Sequence, residues 1–218
     1  MRTKAFIAHF SLLIIMNLGY GQEKKILVLD PGHGGIDSGA MATGNLYEKD
    51  IVLDIAFKML YWNRELLSGY FDIYLTRSTD TLISLNHRTK LARHLKPDLF
   101  VSLHCNHAQN KKASGIEVYT FLKTQSTNNF QSESEVLAKV ISEGIATHLG
   151  FANRGGKTAN FQVLRDTRNI CPAVLVEMGF LSNTDVSNYL KLNEKREALA
   201  LAILLALFDS TALEFGPK

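Results

Sequence analysis

Three short apolar runs, Ile26–Leu29, Leu99–Leu103 and Ala173–Val176, are spread along this 218-residue chain, with segments of helical period between them. Runs of this length, bounded by turn residues, read as strands buried on both faces, and such strands occur where helices cover both sides of a largely parallel sheet. The hydrophobic period predicts strands over Lys25–Asp30, Phe71–Thr76, Asp98–His104, Ile116–Phe121, Phe161–Leu164 and Ala173–Met178. Helices are expected over Lys49–Leu67, whose Ile51, Val52, Ile55, Ala56, Met59 and Leu60 share a face, and over a segment marked by Leu85, Arg88, Leu91, Ala92 and Leu95 and ended by Pro97. Glu133–Leu149 is a third helix, closed by Gly150, and Asn183 caps a short one running through Leu190. A last helix, Glu194–Phe208, is apolar on nearly every side yet too short to span a bilayer, so it belongs in the core. The fold class is therefore α/β: a single domain with a mainly parallel, twisted mixed sheet of about six strands flanked by helices.

Ahead of the first strand, Arg2 and Lys4 precede an apolar stretch from Ala5 to Leu18 and a small-residue exit at Gly19–Gln22. That order reads as a secretory signal peptide over residues 1–21, leaving 22–218 as the mature domain, exported to the periplasm or beyond the cell. The junction has no cysteine for a lipid, so no stable membrane anchor is expected. Removing residues 1–21 leaves 22 basic against 21 acidic side chains, a balance that argues against a nucleic-acid partner. The most polar stretch, Lys123–Glu135, reads as a surface loop. Cys105 follows His104 at the end of one predicted strand and Cys171 precedes another. In a parallel pair those thiols lie at opposite sheet edges, so two free thiols are expected.

Four polar residues interrupt or follow the apolar runs. His33 lies in the turn Asp30-Pro31-Gly32-His33-Gly34-Gly35 after the first strand, His104 ends a central strand, Glu177 lies near the end of the last, and Glu48 starts the helix that returns along the sheet. Ligands of open α/β sheets bind beyond the carboxyl ends of the strands, where all four can converge. Read one at a time they are ordinary: a carboxylate at a helix start gains about 0.3–1 kcal/mol from the dipole, and a histidine at a strand end is commonly a hydrogen-bonded core residue. Glu177 is harder to dismiss, because an unpaired carboxylate within an apolar strand is costly unless compensated. Together, two imidazoles and two carboxylates suit one hydrolytic zinc with three protein ligands, plus a remaining carboxylate that shuttles a proton. His87, His94, His107 and His148 fall on helix surfaces or loops and read as ordinary solvated or partly buried side chains.

The segments Leu29–Gly35, Glu48-Lys49-Asp50, Leu75-Thr76-Arg77, Ser102–Asn106 and Val176–Asn183 together resemble the zinc-dependent N-acetylmuramoyl-L-alanine amidases, type 3, in order and spacing over essentially the whole mature chain. The resemblance implies His33, Glu48 and His104 as ligands of one zinc ion and Glu177 as the catalytic carboxylate. It implies peptidoglycan as substrate, cut at the amide between the lactyl group of N-acetylmuramic acid and L-alanine of the stem peptide. Asn106 and Arg77 are candidate contacts for polar or anionic groups of the stem. Cys105 and Arg93 depart from residues common in the family, outside the implied ligand set. The segment between Phe121 and Ser134 is too short for the helical insertion that blocks the site in some relatives, so no activator protein is expected. Two other functions remain open: a zinc peptidase acting within the stem peptide, and a non-catalytic wall-binding protein on the same fold.

Overall fold

A computed structural model describes residues 24–42, 44–121 and 130–214, with side chains to 211. The expected signal peptide lies outside these residues, as does most of the expected polar loop. The end of that loop is helical, because helix α3 begins at Gln131.

Six strands form one sheet: β1 (Lys25–Pro31), β2 (Phe71–Leu75), β3 (Leu99–Asn106), β4 (Ile116–Phe121), β5 (Asn153–Ala159) and β6 (Ala173–Phe180), in the order β2-β1-β3-β6-β4-β5. Pairs β1–β2, β1–β3 and β3–β6 are parallel, β4–β5 is parallel, and β4 runs antiparallel to β6. The reversal follows from chain length. Residues 107–115 leave β3 at its carboxyl edge and are too few for a crossover back to the far edge, which needs a dozen or more, so β4 starts beside the site.

Helices α1 (Glu48–Glu65), α3 (Gln131–Leu149), α5 (Thr184–Lys191) and α6 (Asn193–Glu214) cover one face of the sheet, and α2 (Leu85–Leu95) and α4 (Gln162–Thr167) the other. α6 packs between α1 and α3 through Leu199, Ile203, Leu204 and Leu207, all fully buried, which explains its near-uniform apolarity. Among the described residues no helix is long and apolar enough to cross a membrane. The expected caps form: the Asn183 side chain accepts from the amides of Asp185 and Val186, and Gly150 ends α3 in the left-handed conformation. Cys105 and Cys171 are free and buried, in separate core clusters.

Two elements differ from the sequence reading. Phe161–Leu164 is not a strand: Phe161 precedes α4, and Val163 and Leu164 pack with Val28, Phe100 and Leu175. A short apolar run carries no period, and here burial against the sheet favours the helical turn. The missing sixth strand is Asn153–Ala159, a polar edge strand whose charged and glycine-rich sequence has no buried face to betray it.

Candidate metal centre and active-site cleft

Burial fixes the turn that carries His33 before any ligand is considered. Asp30, 1% exposed, accepts from Thr76 Oγ1 (2.5 Å), Ser102 Oγ (2.8 Å) and Arg88 Nη1 (2.8 Å). Two guanidinium groups then hold the backbone that follows: Arg88 donates to the carbonyls of Pro31 and His33, and Arg77 to those of Pro31, Gly32, Thr79 and Lys49. Arg77 thus ties the His33 turn to the first turn of α1. Lys49 adds a second tie, donating to Asp80 (2.7 Å) and to the Gly35 carbonyl (2.8 Å). So braced, His33 occupies φ 57°.

His33, Glu48 and His104 come together. Their ligand atoms lie within 4.8 Å of one another, with Glu48 Oε1 3.0 Å from both His33 Nε2 and His104 Nδ1. The Glu48 carboxylate is held in place by backbone amides, Oε1 accepting from Cys105 (2.9 Å) and Oε2 from Ala40 (2.8 Å). Asp37 Oδ2 lies 2.9 Å from His33 Nδ1; accepting the proton there, it leaves Nε2, which faces Glu48, as the nitrogen open to an ion once its own proton is displaced. Glycines keep the centre open. A Cβ on Gly32 would stand 2.3 Å from the His104 ring, and one on Gly39 would stand 2.6 Å from Glu48 Oε2 and 2.7 Å from His33 Cδ2.

Electrostatics reinforce the grouping. Burial alone would lower the pKa of His33, but hydrogen bonds and charge from Glu48 and Asp37 outweigh it and raise it to about 8. Burial would raise Glu48, and the two imidazoles override it and hold the carboxyl far below the ordinary range. Two nitrogens and an anionic oxygen, converged and tied by outer hydrogen bonds, are a donor set that fits zinc.

Glu177 stands beside this centre, in register with His104 on β3 and with Glu117 on β4. Its Oε2 is buried and has no hydrogen-bond partner among the described residues, and burial pushes its pKa up to about 7. With His33 and His104 it lines a cavity of about 370 Å³ whose remaining wall is mostly apolar, including Leu82, Ile83, Leu85 and Phe161.

The two expected substrate contacts lie outside the converged group. Arg77 does not reach the cleft: it is 3% exposed and committed to backbone carbonyls, so its role is to brace the scaffold. Asn106 lies beside His104, but its amide donates to Glu117 Oε2 (2.9 Å) and accepts from the His107 amide (2.8 Å). His87, His94, His107 and His148 are exposed, as expected. Sequence reading missed Arg88, Asp37 and Glu117. Arg88 carried a usable signal, a cation on the apolar face of its helix. Glu117 carried none, since the alternation of Ile116–Phe121 reads it as solvent-facing, whereas it is 3% exposed.

A profile of the N-acetylmuramoyl-L-alanine amidase family matches residues 27–209, which contain His33, Glu48, His104 and Glu177. The chain belongs to this amidase family. Among similar proteins, the endolysin of Bacillus phage SPP1 is 39% identical over 169 residues, 77% of this chain and 59% of the relative. The N-acetylmuramoyl-L-alanine amidase LytC of Bacillus subtilis is 38% identical over 180 residues, 82% of this chain and 34% of LytC. The chain therefore spans between about a third and three fifths of the length of these two relatives. The crystal structure of an N-acetylmuramoyl-L-alanine amidase from Clostridium difficile 630 superposes with a TM-score of 0.77 at 30% identity, covering 87% of this chain and 97% of that one. The six-stranded mixed sheet is thus the fold of amidase catalytic domains.

Proposed function

We propose that the chain is an exported, zinc-dependent cell-wall amidase that cleaves the bond between the lactyl group of N-acetylmuramic acid and L-alanine of the peptidoglycan stem. The observation that carries this reading is the unpartnered Glu177 Oε2, buried beside a converged His33–Glu48–His104 donor set in one cleft. His33, Glu48 and His104 would hold one zinc ion. When bound, the ion supplies Lewis acidity, bringing the pKa of water toward about 7 and polarising an amide carbonyl.

The protein's own groups do the rest. Glu177 accepts the proton of the attacking water and returns it to the nitrogen of the departing L-alanine, a role typically worth ~10² to 10⁴ in rate. A raised pKa suits a group that must take a proton and give it up again near neutrality. Asp37 and the Cys105 and Ala40 amides keep the donor atoms oriented, and Leu82, Leu85 and Phe161 give the cleft an apolar wall. The amino-terminal pattern supports export, which puts the protein in the compartment that holds the wall. The short link after Phe121 supports activity without a partner protein.

Purified zinc-loaded protein incubated with sacculi, with no other addition, should release peptides beginning with L-alanine and leave glycan strands bare, read by mass spectrometry. Cuts confined to bonds within the stem would identify a peptidase instead, and no release would contradict enzymatic action.

A further inference from the structure

Across the carboxyl edge of the sheet, His104 on β3, Glu177 on β6 and Glu117 on β4 stand in one row. The row continues onto the edge strand. The β4–β5 pairing shifts register between Ile116 and Val118, so Arg154 and Gly155 bulge opposite Glu117. Glu117 Oε1 accepts from Arg154 Nε (2.6 Å) and Lys157 Nζ (2.5 Å), while Oε2 accepts from Tyr119 Oη (2.8 Å) and Asn106 Nδ2. The carboxylate is inside and the cations face out: the Glu117 side chain is 3% exposed, against 42% for Arg154 and 36% for Lys157. One anion against two cations leaves this patch, one strand from Glu177 and outside the cavity's own lining, net positive.

Arg154 is also oriented. Its Cζ lies 5.3 Å from the centre of the Phe180 ring, and its Nε is tied to Glu117. Among the described residues its Nη1 and Nη2 make no hydrogen bond, leaving the outer edge of a planar fork that matches a carboxylate.

We propose that Arg154, with Lys157 beside it, selects substrates through an anionic group of the stem peptide, binding the free carboxylate on the residue that follows L-alanine. This rests on the amidase reading above. The geometry suits it, because adjacent strands lie about 5 Å apart and an extended peptide advances about 3.5 Å per residue, so a chain leaving Glu177 toward β4 and β5 reaches the guanidinium within two or three residues. The expected basic contact for the stem thus belongs to the β5 edge and not to the buried Arg77.

The test uses two synthetic N-acetylmuramoyl tripeptides that differ in one group: the second residue carries an α-carboxylate or an α-carboxamide, its side-chain carboxyl being in peptide linkage. Zinc-loaded wild type should favour the carboxylate about tenfold in kcat/KM, mainly through KM, as expected for a charge-assisted pair. Arg154→Ala, in which Lys157 still compensates Glu117, should bring the ratio to within about twofold of one; Lys157→Met should lower it independently, and Arg154→Lys should restore part of it. Equal kcat/KM for both tripeptides in wild type, or a loss in Arg154→Ala that falls equally on both and leaves the ratio unchanged, would overturn the subsite while leaving the amidase reading intact. If wild type cuts neither at the lactyl–alanine amide, the amidase reading falls and the subsite with it.

Discussion

Glu177 and Glu117 face each other across the antiparallel β6–β4 pair, yet one carboxylate has a buried oxygen without a partner and the other accepts four hydrogen bonds. Two like residues one strand apart are driven in opposite directions. Burial raises the pKa of Glu177. Burial would also raise Glu117, but the bonds from Lys157, Arg154 and Tyr119 outweigh it and lower the value.

Replacing Glu177 by Gln should abolish turnover and, in the metal-free protein, increase stability at neutral pH. The native state holds the Glu177 proton up to about 7, whereas the unfolded chain releases it near 4.5. Stability contributed by the protonated form is therefore full below the unfolded value and lost as pH rises from there through about 7. Gln carries no such loss, so the variant should gain on the wild type by about 1–3 kcal/mol across that window. Urea melts of both proteins in EDTA from pH 4.5 to 8 check this; a difference that is flat with pH contradicts it.

Glu117→Gln should show the reverse slope. A lowered carboxyl stabilises the fold fully above its unfolded value near 4.5, and that stability is lost as pH falls through the lower folded value. At pH 7 the variant should lose about 1–3 kcal/mol, the cost of weakening a buried, charge-assisted set of hydrogen bonds. The deficit should shrink on acidification, followed by denaturant melts at successive pH values.

Zinc uptake by the metal-free protein should release close to one proton at pH 7. His33 is held protonated to about 8 by Glu48 and Asp37, so an ion taking Nε2 must displace that proton, whereas Glu48 is already ionised. Calorimetric titrations in buffers of different ionisation enthalpy count the protons. Below pH 8 the apparent affinity should fall about tenfold per pH unit, and an affinity independent of pH would refute the competition.

Gly39→Ala should empty the centre while leaving the fold standing. Its Cβ would lie under 3 Å from both Glu48 and His33, at a φ of 63°. Gly150→Ala is the control: it also has a positive φ, but its Cβ meets nothing within 4 Å, so it should cost about 1 kcal/mol of stability and no zinc. Elemental analysis beside thermal melts separates the two.

What the sequence disclosed follows from burial. β1, β3 and β6 are covered on both faces, so His104 and Glu177 stand out as polar residues within or ending apolar runs, and His33 and Glu48 fall at the turns those strands imply. Arg77 and Asn106 were visible as polar residues near the site, but whether a side chain meets solvent or a carbonyl depends on partners distant in the chain, such as Pro31 and Glu117. β5 escaped because an edge strand needs no apolar face, and with it escaped Arg154 and Lys157. Glu117 escaped because alternation assigns it to the solvent side of β4, whereas that side is covered by Tyr119, Arg154 and Lys157.

The central claim is that His33, Glu48 and His104 hold one zinc ion while Glu177 acts on substrate without holding it. Zinc per chain, measured on purified wild type, Glu48→Ala and Glu177→Gln after equilibration with limiting free metal, tests it most directly. The account predicts one equivalent in wild type and in Glu177→Gln and a near-complete loss in Glu48→Ala. A full equivalent in Glu48→Ala, or its loss in Glu177→Gln, would contradict it.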